Sequence, residues 1–183
     1  MLINTDTSPI RRREDGSFTV QPKSLEEKPT LCDRCVRNHI CPIIDHSRYH
    51  EADSTSAITH CKLFIAPFKF QSQQGLKEPV FNTLRLGEAW KKRLRAGDLI
   101  GLISADDNEI ITYARVTRVF SGDKQKMIQT HAGRNHLTLK MTKKEAIEYL
   151  TIQLPRIFGN LIWKNNEKMT VIYMEPVGEG EIL

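Results

Sequence analysis

The chain has 183 residues, of which 39% are hydrophobic and 27% charged, with a formal net charge of +5. That is enough for one ordinary domain plus a small appendage, with the composition of a soluble globular protein. No apolar run approaches the roughly 18 residues of a membrane helix, and the first residues, MLINTDTSPIRRREDGSF, have no apolar signal core. The expectation is therefore a cytoplasmic location with no membrane partner.

The charge is unevenly placed. Between Lys91 and Lys144, twelve Lys and Arg oppose five Asp and Glu, a net of +7 against −2 for the remainder. A basic region on an otherwise near-neutral chain points to a polyanion, here nucleic acid, RNA ahead of DNA. A lysine-rich solvated surface is the plainer alternative.

Residues 1–30 read as a flexible arm. They hold Arg11, Arg12 and Arg13, three prolines (Pro9, Pro22, Pro29) and few apolar residues to bury. Residues 31–66 read as a small metal module. All four cysteines lie there, Cys32, Cys35, Cys41 and Cys61, spaced C-x2-C-x5-C-x19-C. A C-x-x-C pair supplies two thiolates from one tight turn, and a bound ion would give this polar segment a centre. Zinc is the expected ion, with an iron–sulfur cluster as the alternative. His39, His46, His50 or His60 could replace a sulfur. Four protein sulfurs leave no open position on zinc, so the role would be structural. Free or disulfide-paired cysteines are the competing reading, which an intracellular location disfavours.

From residue 68 to 177 the pattern becomes that of a folded domain, followed by an acidic tail at 178–183. LIGLISA (99–105) is apolar and β-prone. IITYARVTRVF (110–120) alternates, with Ile111, Tyr113, Arg115, Thr117 and Val119 on one side and Thr112, Ala114, Val116, Arg118 and Phe120 on the other. TVIYMEPV (170–177) is a further strand. Asp106, Asp107, Asn108 and Glu109 read as a hairpin tip. Helices are predicted at Glu88–Arg95, with Trp90 and Leu94 four apart, and at Thr142–Leu150, opened by a Thr142/Glu145 capping box. Strands broken by short helices, without regular βαβ alternation, predict an α+β fold built on a small barrel.

The order of features over FNTLRLGEAWKKRLRAGDLIGLISADDNEIITYARVTRVF (81–120) carries a resemblance. A Thr83-Leu84-Arg85 strand runs into Leu86-Gly87, a basic helix, Ala96-Gly97-Asp98 and two strands. This resembles the ASCH family of the PUA-like superfamily, as do THAGRNHLTLKMTKKEAIEYL (130–150) and EKMTVIYME (167–175). The cysteine module is not part of the usual ASCH core. The resemblance implies a PUA-like β-barrel with short helices and a cleft beside the Thr-x-Arg strand, in a superfamily whose members bind RNA, some around a modified base.

The nucleic-acid-binding residues are then expected to be Thr83 and Arg85 in the cleft, with Lys91, Lys92, Arg93, Arg95, Arg115 and Arg118 on backbone phosphates. Arg85 can hold a phosphate or base edge bidentately. Trp90 could stack on a base, although a Trp with a Leu four residues on is more often core. The resemblance also raises an enzyme. ASCH amidohydrolases acting on modified cytidine use a Lys, a Thr and a Glu. Here Thr83 and Arg85 match, but Val80 stands for the Lys, with Lys77 out of register, and Asn135 stands near the Glu. A ribonuclease could draw on His131, Arg134, His136 and Lys140. A third possibility is a protein-interaction module of phage or host origin.

Overall fold

A computed structural model describes residues 10–12, 14, 18–20, 60–61, 65–178 and 181. The chain divides between Phe68 and Lys69 into two compact units. In the first, β1 (Ile10–Arg12), β2 (Phe18–Val20) and β3 (His60–Cys61) form an antiparallel sheet in that order. Phe18 is opposite Cys61 and Thr19 opposite His60. Two strands thus occupy part of the segment read as an arm. Of the four cysteines only Cys61 is among the described residues; Cys32, Cys35 and Cys41 lie outside them.

The second unit is α+β. Its sheet is a curled half-barrel of β4 (Ala66–Phe70), β5 (Phe81–Leu86), β6 (Leu99–Ser104), β7 (Ile110–Asp123) and β8 (Lys168–Val177), in the order β4-β6-β7-β8-β5. Four helices join it: α1 (Ala89–Arg93), α2 (Lys124–His131), α3 (Lys143–Phe158) and α4 (Asn160–Lys164). A 3-10 turn, Ala132–Arg134, continues α2. The expected closed barrel is not reached in this strand order, which leaves β4 and β5 as edges. Among the described residues the seam between them is crossed by side chains and by the segment after the 3-10 turn. Arg85 Nη2 donates to the Lys69 carbonyl at 2.8 Å, and the His136 amide donates to Asn82 O at 3.0 Å.

Register explains which residues face the helices. Antiparallel partners share a face, so Leu84 and Val171, and Leu86 and Met169, point the same way. They form one core with Ile128, Ala132, Ala146, Leu150 and Leu154 from the helices. Phe81, Ala114, Val116, Ile172 and Met174 are buried on the opposite, concave face.

Helix α3 begins as its sequence dictates. The Thr142 side chain meets the Glu145 amide, and Glu145 Oε2 accepts from the Thr142 amide at 2.8 Å. The helix runs on past Leu150 to Phe158 because the apolar stripe continues through the buried Leu154 and the half-buried Ile157 and Phe158. Helix α1 is shorter than its periodicity suggests. Leu94 is extended at φ −109° and ψ 144°, and Arg95 N donates to Asp98 Oδ2 at 2.8 Å in a turn that replaces the last residues.

Strand β7 departs from the predicted alternation at one point. Val116 pairs with Met174 and Arg118 with Tyr173, so Thr117 is an extra residue in a β-bulge. Beyond it the faces exchange. Val119 joins Val116 on the concave side, while Arg118 and Phe120 join Arg115.

Candidate nucleic-acid interface

The Thr83-Leu84-Arg85 strand sends Thr83 and Arg85 to the concave face, since they pair with Ile172 and Thr170. Thr83 is buried and Arg85 half-buried. Besides its bond to Lys69 O, the Arg85 guanidinium lies 5.0 Å over the Phe70 ring. His136 meets the same ring edge-on at 5.1 Å, with Phe81 at 6.5 Å. His136 Nδ1 lies 3.0 Å from Gln74 O. A carbonyl only accepts, so Nδ1 carries the proton. Burial, and in lesser part the Arg85 charge, push the imidazole pKa down to about 4, the bond to Gln74 offsetting a portion. His136 is therefore neutral at pH 7.

The neighbouring amides are equally engaged. Asn82 Nδ2 donates to His131 O at 2.9 Å, and Asn135 Nδ2 donates to Asn82 O at 3.3 Å. Asn135 thus ties the segment after the 3-10 turn to β5. Val80 and Lys77 both precede β5, in an exposed turn rather than on the strand. Arg134 and Lys140 are exposed, whereas His136 is buried.

The basic residues separate into two kinds. Arg93 is 9% exposed and lies 5.4 Å over the Trp90 ring. Trp90 itself is buried with Leu94, so the core reading of that pair holds and Arg93 is turned inward with it. Lys91, Lys92, Arg95 and Arg118 are exposed. Lys91 Nζ donates to Val119 O at 2.8 Å, which ties α1 to β7 just beyond the bulge. Arg115 is half-buried, with Glu181 at 3.5 Å.

Phe120 and Tyr173, which sequence reasoning did not single out as site residues, complete the surface with His131. Phe120 stacks on His131, with ring centroids 5.1 Å apart and planes 23° apart. Tyr173 stands edge-on to both, and its hydroxyl is 3.0 Å from His131 Nδ1. Burial lowers the His131 pKa from its ordinary value. Only the bulge sets Phe120 beside these partners, and no feature of the strand sequence marks a bulge at Thr117. Among the described residues no group of three or more His, Cys, Asp or Glu is placed to hold a metal ion, and no helix is long and apolar enough to cross a membrane.

No protein-family model matches the chain, and no curated protein does. Solved structures similar to it include hypothetical protein PH0355, 14% identical with a TM-score of 0.41 over 61% of this chain and 97% of that one. Another is a mutant ZmASCH protein from Zymomonas mobilis, 10% identical with a TM-score of 0.37 over 63% and 76% of the two chains.

Proposed function

We propose that this chain binds nucleic acid, RNA in preference to DNA, through the rim formed by α1 and the second half of β7. The observation that carries this reading is the bulge at Thr117. In a regular strand Arg115 and Arg118, three residues apart, would point to opposite faces. The bulge turns both to one face with Phe120, and Lys91 is fastened alongside at Val119. Backbone phosphates would meet Lys91, Lys92, Arg95, Arg115 and Arg118. Arg85 would support this surface from behind by holding the seam, Thr83 by its buried place beside it on β5, and Arg93 by packing on Trp90.

An ASCH-type, PUA-like domain is the family reading that goes with this function. It rests on the Thr83-Leu84-Arg85 strand followed by the basic helix and the paired strands β6 and β7. The cysteine spacing supports a structural zinc ion on Cys32, Cys35, Cys41 and Cys61, with an iron–sulfur cluster as the other group four thiolates would hold. Elemental analysis of the purified chain distinguishes the two, and neither metal at stoichiometric level would remove the module.

Replacing Lys91, Lys92 and Arg118 with Glu tests the interface. Each phosphate contact on a single strand contributes about 0.7 to the log–log salt slope of binding, so losing three should flatten it by about 2. Fluorescence anisotropy with labelled RNA across a salt series reads both slope and affinity. An unchanged slope and affinity would remove this rim from the function.

A further inference from the structure

We propose that Phe120, backed by His131 and edged by Tyr173, is a stacking platform for an unpaired base, so that the polymer bound at this rim is single-stranded. The inference rests on the nucleic-acid reading above and specifies which form of the polymer the site takes.

An exposed Phe alone means little, because scattered apolar residues are normal on protein surfaces. This one is held in place. His131 covers one face of the ring, Tyr173 abuts its edge, and 39% of Phe120 is still open. The backing is itself fixed. Tyr173 OH bonds the His131 ring, and the His131 carbonyl accepts from the buried Asn82 amide. A rigid aromatic surface loses little conformational entropy when a second ring stacks on it.

The surroundings indicate which ring. Arg118 is exposed on the same face two residues away, and Lys91 reaches the carbonyl next to Phe120. Cations flanking an open aromatic match a chain of alternating phosphates and bases. In a duplex the base faces are already stacked on one another and cannot reach a side-chain ring, whereas unpaired bases can be splayed onto it. A surface that read phosphates alone would have no use for Phe120. Burial lowers the His131 pKa and so disfavours its charged form, and the phosphate charge falls to Arg118 and Lys91.

The test uses the full chain, a short single-stranded RNA of mixed sequence, and a blunt RNA duplex of equal charge. The parent should prefer the single strand. Phe120→Leu keeps apolar bulk but removes the flat face. It should weaken single-strand binding about 5- to 100-fold and leave duplex affinity and the salt slope unchanged. Phe120→Trp should restore binding and show indole quenching with the single strand only. If Phe120→Leu binds the single strand as tightly as the parent, the platform is overturned while the charged rim stands. If Phe120→Leu does not fold, the Phe120→Trp titration decides, and no quenching overturns the proposal. A parent that binds neither polymer sinks both readings.

Discussion

His131 and His136 lie five residues apart on either side of one turn, and each meets aromatic rings near an arginine. The two clusters are put to opposite use. Around His136 every group is turned to the protein: Nδ1 to Gln74 O, the ring edge to Phe70, and the neighbouring Arg85 to Lys69 O. Around His131 the ring is stacked, Tyr173 holds it, and yet Phe120 and Arg118 stay open. The first cluster substitutes for the strand pairing that β4 and β5 lack. The second is a shaped surface with capacity left over. The same combination of His, aromatic ring and Arg thus says little until burial decides whether it is structure or site.

The strongest way to break the inner cluster is at Gly75. Its φ is +68°, and a Cβ there would lie 2.2 Å from the His136 carbonyl oxygen and 2.9 Å from Leu139 Cδ1. Backbone cannot yield as a flexible side chain does, so Gly75→Ala should cost about 3–5 kcal/mol or abolish folding. Urea denaturation measures it, and a loss below about 1 kcal/mol would mean the loop is not clamped on His136.

Acid should loosen the same cluster more gradually. The folded His136 pKa of about 4 lies below the ordinary 6.5, so the fold favours the neutral ring. Its contribution is complete above pH 6.5 and drains away as pH falls toward 4. The total is about 3 kcal/mol by linkage. His136→Gln, which removes the titrating group, should flatten stability across that window in thermal melts. A parent profile with the same slope as the variant would contradict the burial argument. The rim should respond least. Phe120→Leu keeps its apolar contact, and its stability should stay within about 1 kcal/mol of the parent even where single-strand binding falls.

Much of the fold was legible in the chain. Thr142 and Glu145 announce the start of α3, the apolar runs give β6, β7 and β8, and Trp90 with Leu94 reads as core. The Asp106–Glu109 tetrad is the β6–β7 turn, where the Glu109 amide holds the Asp107 carboxyl below its usual range. The candidate site was less legible. Arg93 looks like its neighbours Lys91 and Lys92, but the helix face it occupies turns it onto Trp90. Arg85 looks like a ligand contact, yet it bridges the seam. The alternation puts Phe120 on the same side as Val116, because nothing in the run from Ile110 to Phe120 reveals an extra residue. Cys32, Cys35 and Cys41 lie outside the described residues, and the proposed metal module rests on the C-x2-C-x5-C-x19-C spacing.

Local pattern fixed what local physics controls. Caps, turns and apolar periodicity depend on residues a few positions apart, and the gathering of positive charge between Lys91 and Lys144 is a property of composition. Which cations and rings reach solvent together depended on strand register across β5, β8 and β7. A single inserted residue reverses every side chain beyond it, and that reversal exists only once the strands have paired.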